Sequence, residues 1–191
     1  MSNKAQTKAG RFRSKKVIFA MALLSAILVT GGLYLLILLN APTLIPTKKL
    51  SNIEVAKENR VIIKKINVNR EILEGDNSVL EKGVWHRYPE RGDPEMGGNF
   101  ILTGHRFKFA QTPNLVKEAS VFYDINKLVT GDEIEVHWNG KKYKYRIEKI
   151  YKVKPNQTEI ENVSESRLTL YSCTLSGSSD GREVIEAKLV K

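Results

Sequence analysis

Hydrophobic residues in this chain follow two patterns, one near the N-terminus and another through the rest. Val17 to Leu39 runs for roughly 23 residues without a charge, which as a helix covers a bilayer core of about 30 Å. From Arg60 onward the apolar positions come in short runs with strand-like alternation. Val61-Ile62-Ile63 and Ile66-Asn67-Val68 predict two opening strands, and Val79 to Trp85 predicts a helical turn ending near Gly83. Arg87 to Asn99 reads as loop, broken by Pro89, Pro94 and Gly97-Gly98. Asn99 to Thr103 predicts a buried strand, with a short helix at Leu115 to Ala119 and a turn at Asp124 to Leu128 further on. Glu133 to Trp138 and Lys141 to Val153 flank Asn139-Gly140, a dipeptide that favours a tight hairpin turn. Leu168 to Tyr171 leads into the only cysteine, Cys173; a polar loop comes next, Ser176 to Gly181, and then a strand opened by Arg182. Seven or eight strands at this spacing, with little helix, predict an all-β fold: a small closed β-barrel with short helices, preceded by one transmembrane helix.

Charge changes the picture at one end only. The chain carries 31 Lys and Arg against 21 Asp and Glu, a net of +10. Six of those cations, Lys4, Lys8, Arg11, Arg13, Lys15 and Lys16, precede Val17 with no acid among them. The remainder is nearly balanced, so the charge argues against a nucleic-acid partner and for membrane topology. Basic residues before an apolar span place the N-terminus in the cytoplasm and the chain beyond the span outside. A cleaved signal peptide is the competing reading, but its apolar region is only about 7–15 residues long and a small-residue cleavage site should come after it. The resulting organisation is a cytoplasmic basic tail over 1–16, a signal-anchor helix over 17–39, a stalk over 40–59 and an extracellular domain over 60–191. Pro42 and Pro46 discourage regular helix in the stalk, while Lys48, Lys49, Glu54, Lys57 and Glu58 keep it solvated. It reaches at most roughly 65 Å, so the domain works near its own membrane.

Candidate chemistry concentrates at the ends of two strands. Cys173 follows Thr169-Leu170-Tyr171-Ser172, and His105 follows Leu102-Thr103-Gly104. A lone cysteine makes no internal disulfide, and a thiol becomes a useful nucleophile beside a base or cation. These segments resemble the motifs of the sortase family: Thr169 to Cys173 is similar to its TLxTC signature, Leu102 to Arg106 to its histidine motif, and Arg182 to Ile185 to its arginine strand. The likeness covers the chain from about Arg60 to the end, with Ser172 standing where most members carry Thr. It implies a thiol nucleophile at Cys173, a general acid and base at His105, an oxyanion or substrate-carbonyl donor at Arg182, and no cofactor. His86, Thr103 and Ser172 are candidate lining residues, although a surface role for His86 is equally open. No Asp or Asn is assigned as a third member to orient the histidine.

The resemblance also implies the reaction. An exported protein with an LPxTG-like C-terminal sorting signal would be cut between Thr and Gly, held as a thioester and passed to an amine. That amine would come from a peptidoglycan precursor or a pilin lysine. The lack of a second apolar span at the C-terminus, and of a long insertion between Val153 and Arg167, resembles classes D and E more than B or C. Two other readings stand beside it: an envelope cysteine hydrolase that gives the thioester to water, and a non-catalytic anchored barrel that only binds. Other patterns have plainer explanations. His137 reads as structural, and Lys142, Lys144 and Arg146 alternate with Tyr143, Tyr145 and Ile147 as the two faces of one amphipathic strand. Arg91-Gly92-Asp93 and the sequons at Asn156 and Asn162 are short enough to recur by chance.

Overall fold

The computed structural model of the protein describes residues 3–46, 50, 53–157 and 165–190, with side chains from 15 onward. The chain divides into two compact units, Met1–Asn40 and Ala41–Lys191. The N-terminal stretch is one helix, α1 (Asn3–Leu44), which contains a segment, Lys15–Leu44, long and apolar enough to cross a membrane. Pro42 lies inside its last turn, so the helix runs past the point where the sequence predicts the stalk. Residues 47–49, 51–52 and 158–164 lie outside the described residues. They include Lys48 and Lys49 of the expected stalk, Thr158 of the first sequon and the whole of the second.

The larger unit is a closed barrel. Its strands are β1 (Arg60–Ile63), β2 (Val68–Leu73), β3 (Val84–His86), β4 (Gly92–Asp93), β5 (Gly97–Thr103), β6 (Glu133–Trp138), β7 (Lys141–Val153), β8 (Arg167–Thr174) and β9 (Gly177–Leu189). Their order around the barrel is β3-β2-β1-β6-β7-β9-β8-β5, and pairing of β3 with β5 closes the ring of eight. β4 adds a two-residue edge on β5. β2–β3 and β5–β8 are parallel, and the remaining pairs are antiparallel.

Alternation sorts the side chains as the period of two requires. Phe100, Leu102, Val136, Ile147, Leu168, Leu170, Ile185 and Ala187 point into one core. A smaller cluster, Ile101, Tyr171 and Val184, packs on the opposite face of the sheet beneath Tyr88, Tyr151 and Val153. The Asn139-Gly140 turn forms as expected, with positive φ at both residues (48° and 72°). A short helix, α2 (Pro113–Ala119), begins two residues earlier than its apolar pattern suggests, because Thr112 caps it and Pro113 suits its first turn.

Three local expectations need correction. The second strand is Val68–Leu73, not Ile66 to Val68: Lys64–Ile66 is a 3₁₀ turn and Asn67 reverses the chain at φ 54°. Val79 to Trp85 splits into a 3₁₀ turn at Asn77–Glu81, capped by the Asp76 side chain, and strand β3. Arg87 to Asn99 contains β4 and the start of β5, which need Gly92 and Gly98. A Cβ on Gly92 would sit 2.2 Å from the Gly97 carbonyl oxygen, and one on Gly98 would sit 2.3 Å from that of Arg91.

Phe100 is fully buried and meets the rings of His86 and Trp138 edge-on, with centroids 4.8 and 5.2 Å away. Phe100→Ala is expected to destabilise the barrel by about 3–5 kcal/mol, read by chemical denaturation of the full chain in detergent micelles.

Candidate active site

Cross-strand register assembles the site. Cys173 on β8 lies directly opposite Arg182 on β9, and Arg182 in turn lies opposite Val153 on β7. On the other side of β8, the parallel ladder to β5 reaches Thr103↔Tyr171, its last paired rung. Two residues beyond that rung along each chain stand His105 and Cys173. The residues just before them are tied together, since Ser172 Oγ donates a 2.8 Å hydrogen bond to the Gly104 carbonyl. Arg182 and Cys173 therefore share a rung, and His105 follows the strand on the other side of Cys173, in the order Arg182, Cys173, His105.

Cys173 and Arg182 occupy the outer face of the sheet, and His105 follows two residues after the end of β5. Leu168, Leu170 and Ser172 alternate inward, which turns Thr169, Tyr171 and Cys173 outward. Ile185 and Ala187 point inward, so Arg182 and Val184 point out. The alternation alone thus puts Arg182 on the same face as Cys173. The next rung of the same face, Tyr151, Val184, Tyr171 and Thr103, is largely apolar and leads away from the cysteine.

The loop expected over Ser176 to Gly181 is the irregular beginning of β9. Thr174 pairs with Gly177 while Cys173 pairs with Arg182, so Ser178 to Gly181 have no counterpart on β8 and bulge out. That bulge grips the guanidinium: Arg182 Nη1 donates to the carbonyls of Ser178 (2.7 Å) and Gly181 (2.9 Å). Thr174 Oγ1 holds the bulge by donating to Asp180. Cys173 is a half-buried free thiol.

His105 is accessible, with a quarter of its side chain exposed, and its Nε2 lies 3.3 Å from Glu81 Oε1. Glu81 also accepts from Lys108 Nζ at 2.7 Å. The sequence gives no hint of this carboxylate; it sits at the end of a 3₁₀ turn 24 residues away, and no motif spacing marks it. The Lys108 hydrogen bond is the main cause holding its carboxyl below the usual 4.5; desolvation opposes it, and His105 adds a smaller lowering. Directly after His105 and Arg182 in the chain, Arg106 and Glu183 form an ion pair on the inner side.

The remaining sequence candidates divide. Thr103 and Ser172 are buried beside the site, Thr103 on the outer face and Ser172 on the inner. His86 does not line it. Paired with Leu102, it points into the barrel at 1% exposure, and its ring nitrogens lie 3.0 Å from Glu74 Oε1 and the Gly92 carbonyl. The period of two puts it on the face opposite Cys173. His137 is buried too: Ala56 N–H donates to its Nδ1, and its Nε2 meets Glu135 at 2.7 Å.

The barrel has relatives among known proteins. Residues 61–190 match the family model described as the sortase domain. Among solved structures, the chain is similar to sortase C-1 of Actinomyces oris, with 28% identity, TM-score 0.58, and coverage of 72% of this chain and 76% of that one. It is similar to the sortase D5 transpeptidase of Clostridium perfringens, with 30% identity, TM-score 0.58, and coverage of 71% and 79%. Sortase C1 of Streptococcus suis matches at 26% identity, TM-score 0.59, and coverage of 72% and 74%. A search of curated proteins finds no significant match.

Two outcomes are expected from these contacts. Ser172→Ala removes the tie to the Gly104 carbonyl and should cost about 1–3 kcal/mol, whereas Ser172→Thr keeps a hydroxyl there; denaturation midpoints separate them. Glu81 binds protons less readily folded than unfolded, so its contribution is complete above about pH 4.5 and is lost as pH falls through the lowered folded value. Glu81→Gln should therefore be less stable than the parent at pH 7, with the difference shrinking as the pH falls below about 4.5.

Proposed function

Because this chain belongs to the sortase family, we propose that it is a membrane-anchored cysteine transpeptidase acting on exported proteins with an LPxTG-like C-terminal sorting signal. The observation that carries the reading is the shared outer-face rung of Cys173 and Arg182, extended by His105. The Cys173 thiolate attacks the carbonyl between Thr and Gly of the signal. Arg182, a permanent cation, donates to the oxyanion of the tetrahedral intermediate and needs no proton of its own to do so. Imidazolium at His105 gives its proton to the departing amine, leaving a thioester on Cys173. An incoming amine, from a peptidoglycan precursor or a pilin lysine, then loses a proton to the neutral imidazole and takes the acyl group. Side chains alone supply this chemistry, without a cofactor.

The apolar helix suits a single-pass anchor. In this reading residues 1–16 stay in the cytoplasm, 17–39 cross the cell membrane, 40–59 form a short stalk and 60–191 work outside. The cations before the span support that orientation. The short connection between Val153 and Arg167 favours class D or E within the family.

The test is incubation of the full chain in detergent micelles with a library of sorting-signal peptides, with and without triglycine, followed by intact-mass analysis. A thioester adduct on Cys173 and a triglycine-ligated product are expected. Cys173→Ala should give neither, Arg182→Ala should react about 10²–10³-fold more slowly, and His105→Ala about 10²–10⁴-fold more slowly. Hydrolysed peptide as the only product in the presence of amine would make the protein a cysteine hydrolase. No acylation by any peptide, from a folded chain, would withdraw the assignment.

A further inference from the structure

Beneath the site lies a buried charged pair that the reaction does not use. Arg106 is 3% exposed, and its Nη1 donates to Glu183 Oε2 at 2.5 Å; the Glu183 side chain is only 10% exposed. Arg106 Nη2 donates to Asn126 Oδ1 at 2.7 Å, and Nε has no hydrogen-bond partner among the described residues. Each member of the pair follows a site residue in the chain: Arg106 comes after His105, and Glu183 after Arg182. Glu183 also lies directly opposite Ser172, the residue before Cys173, which itself holds Gly104, the residue before His105. One buried layer therefore links the neighbours of all three site residues.

Stability alone does not account for this pair. Two charges withdrawn from water lose hydration that their mutual attraction only partly returns, and apolar side chains of similar volume often serve a fold as well or better. The unpartnered Nε adds to that cost. What the pair supplies is geometry. A forked guanidinium accepts few orientations, and here its branches join β9 to the loop after β5 and to the 3₁₀ turn at Ile125–Lys127. The segment after Thr103 leaves the sheet, so no strand ladder fixes His105; Phe122 N–H donates to its carbonyl at 3.0 Å, and Arg106 and the Ser172–Gly104 bond hold the residues on either side of it.

We infer that Arg106 and Glu183 are positioning residues, a buried clamp that sets the imidazole of His105 against the thiol of Cys173. This rests on the reading of Cys173 and His105 as a reacting pair. The clamp touches neither substrate nor sulfur, and it acts through the backbone it joins.

The test reads thiol reactivity, which needs no peptide substrate. Full-length protein in micelles is treated with iodoacetamide at pH 7, and the Cys173 alkylation rate is followed by mass together with Tm. The variants are His105→Ala, the apolar pair Arg106→Met with Glu183→Leu, and Arg106→Lys. The clamp predicts that the apolar pair keeps its Tm within a few degrees while alkylation falls about tenfold, close to the His105→Ala rate. Parental alkylation at an unchanged Tm would overturn the clamp and leave the transpeptidase reading standing. If His105→Ala itself alkylates like the parent, the pairing of Cys173 with His105 fails, and the clamp with it. Should the apolar pair not fold, Arg106→Lys decides. It keeps the charge but not the two-branched grip, so slower alkylation at the parental Tm supports the clamp and an unchanged rate overturns it.

Discussion

The parallel register between β5 and β8 is the constraint on which the rest of the site depends. Those strands come from distant parts of the chain, and their ladder runs from Asn99↔Arg167 to Thr103↔Tyr171. A slip of one residue in β8 would turn Leu168 and Leu170 out of the core and Cys173 into it. Burial of Phe100, Leu102, Leu168 and Leu170 on a common face makes that slip costly, so the core that stabilises the barrel also aims the thiol outward. The antiparallel partner β9 repeats the logic, because Ile185 and Ala187 hold the register that sets Arg182 opposite Cys173.

The inner and outer faces of this sheet do different work. Inside, apolar contacts fill most of the barrel, and the polar groups near the site end, Ser172, Arg106 and Glu183, are tied to one another or to the backbone. Outside, the rung that carries Cys173 continues into an apolar floor at Tyr171 and Val184. Side chains on the outer face can reach a substrate while remaining fixed by a core they do not enter. The bulge at Ser178 to Gly181 adds the one irregular feature that orientation of Arg182 uses, since its carbonyls hold the guanidinium.

Much of this is legible in the chain itself. Strict alternation marks the long hairpin strands, and Asn139-Gly140 marks their turn. Cys173, His105 and Arg182 stand out through the motifs they share with the family, each of which follows or opens an apolar run. Periodicity fails where its signal is short: Ile66 to Val68 alternates like a strand, yet a left-handed Asn67 diverts it. His86 misleads because a three-residue strand is too short to reveal which face it offers. Glu81 carries no signal at all, and Arg106 and Glu183 fall inside the histidine and arginine motifs with nothing to mark them as a pair. Charged residues at strand ends read as surface, and only the closed barrel brings Arg106 and Glu183 together out of water.

The central claim of the proposed function is spatial: of the three imidazoles in the chain, that of His105, two residues past the end of β5, is the one that meets the only thiol. The most direct measurement is a histidine-ring NMR spectrum of the full chain in micelles, before and after a small methylthio group is attached to Cys173. The account predicts that the His105 resonances, assigned through His105→Gln, shift while those of His86 and His137 stay in place. A spectrum in which His105 is unmoved, or in which His86 moves in its stead, would contradict it.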